Sequence, residues 1–76
     1  MTEDKDKICR HFARVLQKTR AGSDILDILY VEDRGEETAR VLFADKNTGR
    51  LRRLDVNITA DSGLSMLKDI IYALEN

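Results

Sequence analysis

Apolar residues recur at helical spacing near both ends of the chain. The first stripe, with a repeat typical of one helix face, is formed by Ile8, Phe12, Val15, Leu16 and Thr19. Lys18 and Arg20 suit the last turn of such a helix, and Ala21-Gly22 supplies a stop. The second stripe, which Asp61 or Ser62 is suited to cap, is formed by Leu64, Leu67, Ile70, Ile71 and Leu74. The pattern predicts one helix at each end.

The middle of the chain has the pattern of three strands. Segments 24–32, 37–44 and 51–59 are rich in β-branched and other apolar residues, and the last two alternate clearly between apolar and polar positions. Short loops that end in Gly35 and Gly49 separate them, each suited to a type I turn with a bulge. Such short connections predict an antiparallel meander with the second strand in the middle.

The strand pairing predicts which residues share a face. We expect Glu32 to pair with Glu36 across the first loop, and Asp45 with Arg50 across the second. The core face is then formed by Ile25, Leu29, Val31, Ala39, Val41, Phe43, Leu54, Val56 and Ile58. The opposite face is formed by Leu26, Ile28, Tyr30, Thr38, Arg40, Leu42, Leu51, Arg53, Asp55 and Asn57. Asp27 falls among the core residues, either at an edge or turned out by a bulge.

These elements define a small α+β domain that spans residues 1–76. The order is α-β-β-β-α, and we predict a two-layer sandwich in which both helices cover one face of the three-stranded antiparallel meander. At 8.7 kDa the chain is long enough for one thin core only, since a domain of this size buries about 60% of its unfolded surface.

Composition excludes several classes of protein. The chain has 76 residues, 42% of them apolar, with one cysteine and one histidine. One cysteine cannot form a disulfide framework, and one cysteine with one histidine cannot supply the four ligands of a Cys/His zinc site. No apolar run is long enough to cross a bilayer, and the N-terminus lacks the apolar core of a signal peptide. We therefore expect a cytoplasmic protein.

No set of residues has the spacing of a catalytic site. Cys9 and His11 are two positions apart on a helix and point in different directions, so they form no dyad. Cys9 lies beside the apolar stripe and is expected to be buried. The carboxylates show no metal-ligand spacing, and no glycine-rich phosphate loop is present. We expect a protein without enzymatic activity, metal or cofactor.

The face opposite the core is too apolar to be turned to water. A contiguous apolar patch of this kind marks an interface, and both helices are needed on the core face. We therefore predict a protein-interaction module that contacts a second copy of itself, or another protein, through Leu26, Ile28, Tyr30, Arg40, Leu42, Leu51 and Arg53.

Charge is distributed unevenly and supports two alternatives. Residues 5–20 contain six basic residues and one acid, and residues 24–37 contain six acids and one base. The basic segment 5–20 and a second basic cluster at 50–53 suggest nucleic-acid binding. The residues concerned are Lys7, Arg10, Arg14, Lys18, Arg50 and Arg52, joined by Arg53. The net charge of −1 and a pI near 5.7 favour an ordinary solvated helix face instead. The acidic hairpin suggests an inhibitor or adaptor that docks on a basic protein.

Overall fold

Two helices and a three-stranded antiparallel sheet make up the described part of the chain, residues 2–19 and 24–75 of a computed structural model. In chain order the elements are α1 (Thr2–Gln17), β1 (Ile25–Asp33), β2 (Glu36–Ala44), β3 (Leu51–Asn57) and α2 (Gly63–Glu75). The strands lie in the order β1-β2-β3. The predicted α+β class, element order and meander are confirmed.

Both helices pack on the same face of the sheet. The buried core consists of Cys9, Ala13, Ile25, Ile28, Ala39, Val41, Val56, Ile58, Met66 and Ile70. The two helices meet at Gly63, where a Cβ atom would lie 3.0 Å from Cδ1 of Ile8. A side chain at this position would require the end of the Ile8 side chain to give by a few tenths of an ångström.

Helix α1 is shorter than its apolar pattern suggests. It ends at Gln17, and the N–H groups of Lys18 and Thr19 donate to carbonyls three residues earlier, which closes the last turn tightly. Val15, which belongs to the predicted apolar stripe, is exposed. Arg20 and the predicted stop at Ala21-Gly22 lie outside the described residues.

The first hairpin is paired one residue away from the predicted register. Glu32 lies opposite Glu37, so the expected pairing of Glu32 with Glu36 is wrong. The loop is a two-residue turn, Arg34-Gly35, in which both residues have positive φ, 53° and 83°. Two-residue turns with positive φ at both positions match the right-handed twist of the flanking strands.

This shift turns β1 over. Ile28 and Tyr30 face the core, whereas Leu29 and Val31 lie on the opposite face; both assignments reverse the prediction. A bulge between Ile25 and Asp27 returns Ile25 to the core. Asp27 is therefore turned out by a bulge, the second of its predicted alternatives, and lies opposite Leu42.

The second hairpin has the predicted register. The N–H of Asp45 donates to the carbonyl of Arg50 at 2.9 Å, and Gly49 closes the loop at φ 72°. The Asp45 carboxylate accepts hydrogen bonds from the N–H groups of Asn47 and Thr48. These bonds, together with Arg52, hold the pKa of Asp45 below its ordinary value. The predicted faces of β2 and β3 are correct.

Helix α2 is rotated relative to its predicted stripe. Ser62 caps it, as its Oγ accepts from the N–H of Ser65 at 3.4 Å. Met66 and Ile70 are buried against the sheet, whereas Leu64 and Ile71 are 66% and 40% exposed. The apolar sector of α2 is wide, and the sheet takes only one side of it.

Candidate interaction surfaces

The sheet face that the helices leave uncovered is called the open face here. By register it comprises Asp27, Leu29, Val31, Thr38, Arg40, Leu42, Ala44, Leu51, Arg53, Asp55 and Asn57. Leu51 is well exposed, Leu29 is 39% exposed and Leu42 is half-buried. The buried residues of α1 and α2 lie on the other side of the sheet, and at the β1 edge Arg10 and Arg14 of α1 line a groove together with Leu29.

Five of the seven predicted interface residues are accessible at this surface. Arg40, Leu42, Leu51 and Arg53 lie on the open face, and Leu26 is exposed in the bulge of β1. The other two, Ile28 and Tyr30, are corrected: they point to the core because β1 is turned over.

Leu29 and Val31, which the predicted register placed in the core, take their place on the open face. The signal that would have found them is the first loop. Treating Arg34-Gly35 as a two-residue turn with positive φ places Glu32 opposite Glu37 and exchanges the faces of β1.

Charged side chains at the centre of the open face neutralise one another. Nε of Arg40 lies 3.1 Å from Oδ1 of Asp55, and Nε of Arg53 lies 3.6 Å from the other oxygen of the same carboxylate. Exposed ion pairs of this kind contribute about 0–1 kcal/mol. With Asp27 included, the face has two acids and two bases, so it has no net charge.

A basic stripe runs along the outer side of α1. Lys7, Arg10, Arg14 and Lys18 are all exposed. From Lys7 to Lys18 the stripe is about 16 Å long, at 1.5 Å of rise for each of about eleven steps. Arg10 pairs with Asp6 at 3.2 Å. The other three side chains have no acidic partner among residues 2–19 and 24–75.

Most of the second predicted basic cluster is neutralised locally. Arg52 pairs with Asp45 at 3.2 Å and Arg53 with Asp55, which leaves exposed Arg50 without an acidic partner in the described structure. Among the described residues, the predicted nucleic-acid set therefore retains four cations without an acidic partner: Lys7 and Arg14 on α1, Lys18 directly after it, and Arg50 before β3.

A mostly buried polar cluster fastens the start of α1 to the sheet. Nζ of Lys5 lies 2.7 Å from Oε1 of Glu37 and donates to the carbonyl of Ile58 at 2.9 Å, and the Tyr30 hydroxyl donates to Oε2 of Glu37 at 2.5 Å. The hydrogen bonds from Lys5 and Tyr30 hold the pKa of Glu37 below its ordinary value. Burial, and then the bond to Glu37, raise the pKa of Tyr30.

The single cysteine is buried, as expected. Cys9 is fully enclosed in the core, and burial, reinforced by the nearby Asp6 carboxylate, raises the pKa of its thiol to about 11. The thiolate is the reactive form, so this cysteine is unreactive at neutral pH. No group of three or more potential metal ligands occurs in the part of the chain that the structure describes.

Two carboxyl groups meet beside the start of α2. Oδ2 of Asp61 is buried and has no hydrogen-bond partner in the described structure. A hydrogen bond with the carboxyl of Asp69, aided by burial, raises the pKa of Asp61.

Comparison of the chain with known protein families, with curated proteins and with solved structures gives no match. Neither of the two described helices is long and apolar enough to span a membrane. Its function therefore has to be inferred from the surfaces themselves.

Proposed function

We propose that this protein is a cytoplasmic, non-enzymatic interaction module that associates with a second copy of itself through the open face. The observation that carries the proposal is the presence of apolar residues on the sheet face opposite the core: Leu29, Leu42 and Leu51, together with Val31 and the bulge residue Leu26. An antiparallel sheet with one solvated face normally has polar residues there. Contiguous apolar surface of this kind is typical of an interface.

The size of the open face indicates how strong the association is. The strands have 9, 9 and 7 residues, so the face measures about 30 Å by about 14 Å. This footprint of about 420 Å² is roughly half of the 800 Å² or so that each partner buries in a specific interface of standard size. We expect a weak dimer that forms at micromolar concentration.

The charges on the open face are compatible with self-association. Arg40 and Arg53 balance Asp27 and Asp55, and Asp55 already contacts both arginines. Two identical faces therefore meet without net repulsion, and a relative rotation allows each acid to approach a base of the other copy.

Sedimentation velocity at several concentrations tests this proposal. Leu42→Glu places a charge in the middle of the open face, opposite Arg53, and circular dichroism checks that the variant is folded. We expect this substitution to abolish open-face association, whereas Val15→Glu, on an exposed apolar position of α1, leaves it unchanged. Equal self-association of the wild type and Leu42→Glu at every concentration would refute the open face as the contact surface.

Binding of nucleic acid is a second candidate, favoured by the unpaired cations of the basic stripe. Lys7, Arg14 and Lys18 contribute three phosphate contacts at most, which predicts a roughly 40-fold loss of affinity for duplex between about 50 and 200 mM salt. Fluorescence anisotropy with a random labelled duplex measures it. We expect Arg14→Glu to weaken binding and Lys68→Glu, an exposed position on α2, to leave it unchanged; no binding at about 50 mM salt removes this candidate.

A further inference from the structure

Strand β3 forms one edge of the sheet, and its outer side, called the β3 edge here, presents unpaired backbone groups. In an antiparallel pair, alternate residues bond to the neighbouring strand and the others point their N–H and C=O groups away from it. The N–H of Asp45 donates to the carbonyl of Arg50, and the N–H of Ile58 donates to the carbonyl of Glu37, so the even-numbered positions bond to β2. The outward positions are therefore Leu51, Arg53, Asp55 and Asn57, all exposed. Their outward N–H and C=O groups have no hydrogen-bond partner among residues 2–19 and 24–75.

The start of the opposite edge, on β1, is protected instead. A bulge between Ile25 and Asp27 interrupts the strand there, and the N–H of Ile28 donates to Oδ1 of Asp27 at 2.8 Å. Nε2 of Gln17 donates to the carbonyl of Leu26 at 2.9 Å. A bulge or a covering side chain keeps an edge strand from pairing with another chain. β3 pairs with β2 in one unbroken register, so its edge has no such interruption.

The charges along the β3 edge fit a second copy of the same strand. Two β3 strands placed antiparallel, with a twofold axis at Leu54, bring Arg53 of each copy directly opposite Asp55 of the other. The same register sets Leu51 opposite Asn57, so all four outward positions are paired. Moving the axis to Arg53 or to Asp55 sets that residue opposite its own copy, where like charges repel. Charge therefore selects the register that also has the largest overlap.

The ends of the β3 edge and the geometry of Arg53 suit this register. Past Asn57, the N–H of Thr59 donates to the Asn57 side chain at 2.9 Å, and before Leu51 the chain enters the loop that Gly49 closes. The edge is therefore bounded evenly on both sides of its midpoint. Nε of Arg53 lies 3.6 Å from the carboxylate of its own chain, which is too far for a hydrogen bond, so this guanidinium can bond to a second copy.

We propose that β3 pairs edge to edge with β3 of a second copy, which joins the two three-stranded sheets into one sheet of six strands. Each pair of opposed outward residues exchanges two backbone hydrogen bonds, so the four pairs supply up to about eight. In this arrangement Asp55 lies between Arg40 of its own chain, at 3.1 Å, and Arg53 of the other copy. The contact is separate from the stacking of open faces, and the inference stands without the function proposed above.

Amide hydrogen exchange of the full chain, followed by NMR at several protein concentrations, tests the pairing. The outward N–H groups of the β3 edge are unbonded in one copy and hydrogen-bonded in the pair, so their exchange should slow at least about threefold between about 20 µM and about 1 mM protein. The N–H groups of Leu54 and Val56 bond to β2 at every concentration and are the internal control. The same measurement on Leu29→Glu, which disrupts the open face at β1 and leaves β3 unchanged, should give the same slowing.

Charge reversal tests the register. Arg53→Glu and Asp55→Lys each set like charges opposite one another, so neither variant alone should show the slowing. Mixing the two restores both pairs of opposite charges, and isotope-labelled Arg53→Glu should regain protection when unlabelled Asp55→Lys is added. Lys7→Glu changes the net charge as much as Arg53→Glu but lies on α1, and it should behave as the wild type. Circular dichroism checks the fold of each variant.

Each outcome decides the proposal. Outward N–H groups whose exchange is unchanged up to about 1 mM overturn edge pairing, whether or not the chain self-associates, and this measurement on the wild type needs no variant. Slowing that disappears in Leu29→Glu overturns it too, because the protection then comes from stacked open faces. Slowing that persists in Arg53→Glu alone overturns the register. Slowing that survives Leu29→Glu, is absent from each charge-reversed variant and returns in their mixture supports edge pairing, even where open-face association fails its own test.

Discussion

The register of β1 makes a sharp prediction about two neighbouring residues. Ile28 is fully buried opposite Val41, and Leu29 is 39% exposed on the open face. Ile28→Ala removes core contacts and leaves a cavity, so it should reduce the free energy of unfolding by about 3–4 kcal/mol. Leu29→Ala loses only part of the transfer free energy of a leucine and creates no cavity, so it should cost about 1 kcal/mol.

Urea unfolding followed by circular dichroism measures this difference. A domain of 76 residues has a stability of roughly 4–11 kcal/mol, so the larger loss is a substantial part of the total. With a denaturant slope of about 1 kcal/mol per molar urea, the midpoint should fall by about 3 M for Ile28→Ala and about 1 M for Leu29→Ala. Low micromolar protein keeps open-face association from adding to the cost of Leu29→Ala.

If Ile28→Ala does not fold, Ile28→Val is the milder substitution, with an expected cost of about 0.5–1.5 kcal/mol. A larger cost for Leu29→Ala than for Ile28→Ala would refute the register, because it would place Leu29 in the core and Ile28 on the open face. Equal costs would show that β1 does not hold a single register.

Three other predictions follow from local geometry. Because the pKa of Glu37 is lower in the folded than in the unfolded state, its ionised form stabilises the protein above the unfolded pKa, and this contribution is lost as the pH falls below about 4.3. Urea midpoints at pH 7 and pH 3 should therefore differ less for Glu37→Gln than for the wild type, and an equal drop would contradict this. Cys9 should react with a thiol reagent at pH 7 only when denaturant is present; rapid labelling of the native protein would show that the core opens. Arg34→Asn should stabilise the protein by about 0.5–1 kcal/mol in thermal unfolding, because asparagine tolerates the positive φ of this turn better than arginine. No gain in Tm would argue against the two-residue turn.

The clarity of the local pattern decided how much of the sheet could be predicted. β2 and β3 alternate between apolar and polar residues, so only one pairing buries a complete apolar face, and the predicted register across the loop that ends in Gly49 is correct. β1 is apolar on both faces, with Ile28 and Tyr30 on one side and Leu29 and Val31 on the other. Its pattern tolerates either orientation, and the turn at Arg34-Gly35 selects one of them.

Among the candidate surfaces, too, features that depend on local spacing could be predicted and features that depend on long-range packing could not. The basic stripe of α1 could be predicted because it depends only on helical spacing, and its cations are exposed as expected. The polar cluster of Lys5, Glu37 and Tyr30 could not, because it joins residues up to 32 positions apart and depends on β1 being turned over. The width of the apolar sector of α2 allowed either simple packing or a groove, and only the structure shows the groove at the C-terminal ends of α1 and α2.

The sequence by itself determined the order of elements, the ends of the second hairpin and the burial of Cys9, because these depend on periodicity and turn chemistry over a few residues. The tertiary structure decided which face of β1 and which side of α2 became core. In both elements apolar residues occur on more than one side, so local pattern leaves near-equal alternatives. Packing against the rest of the chain chooses between them, and the apolar sides that remain uncovered are the surfaces through which we expect this protein to act.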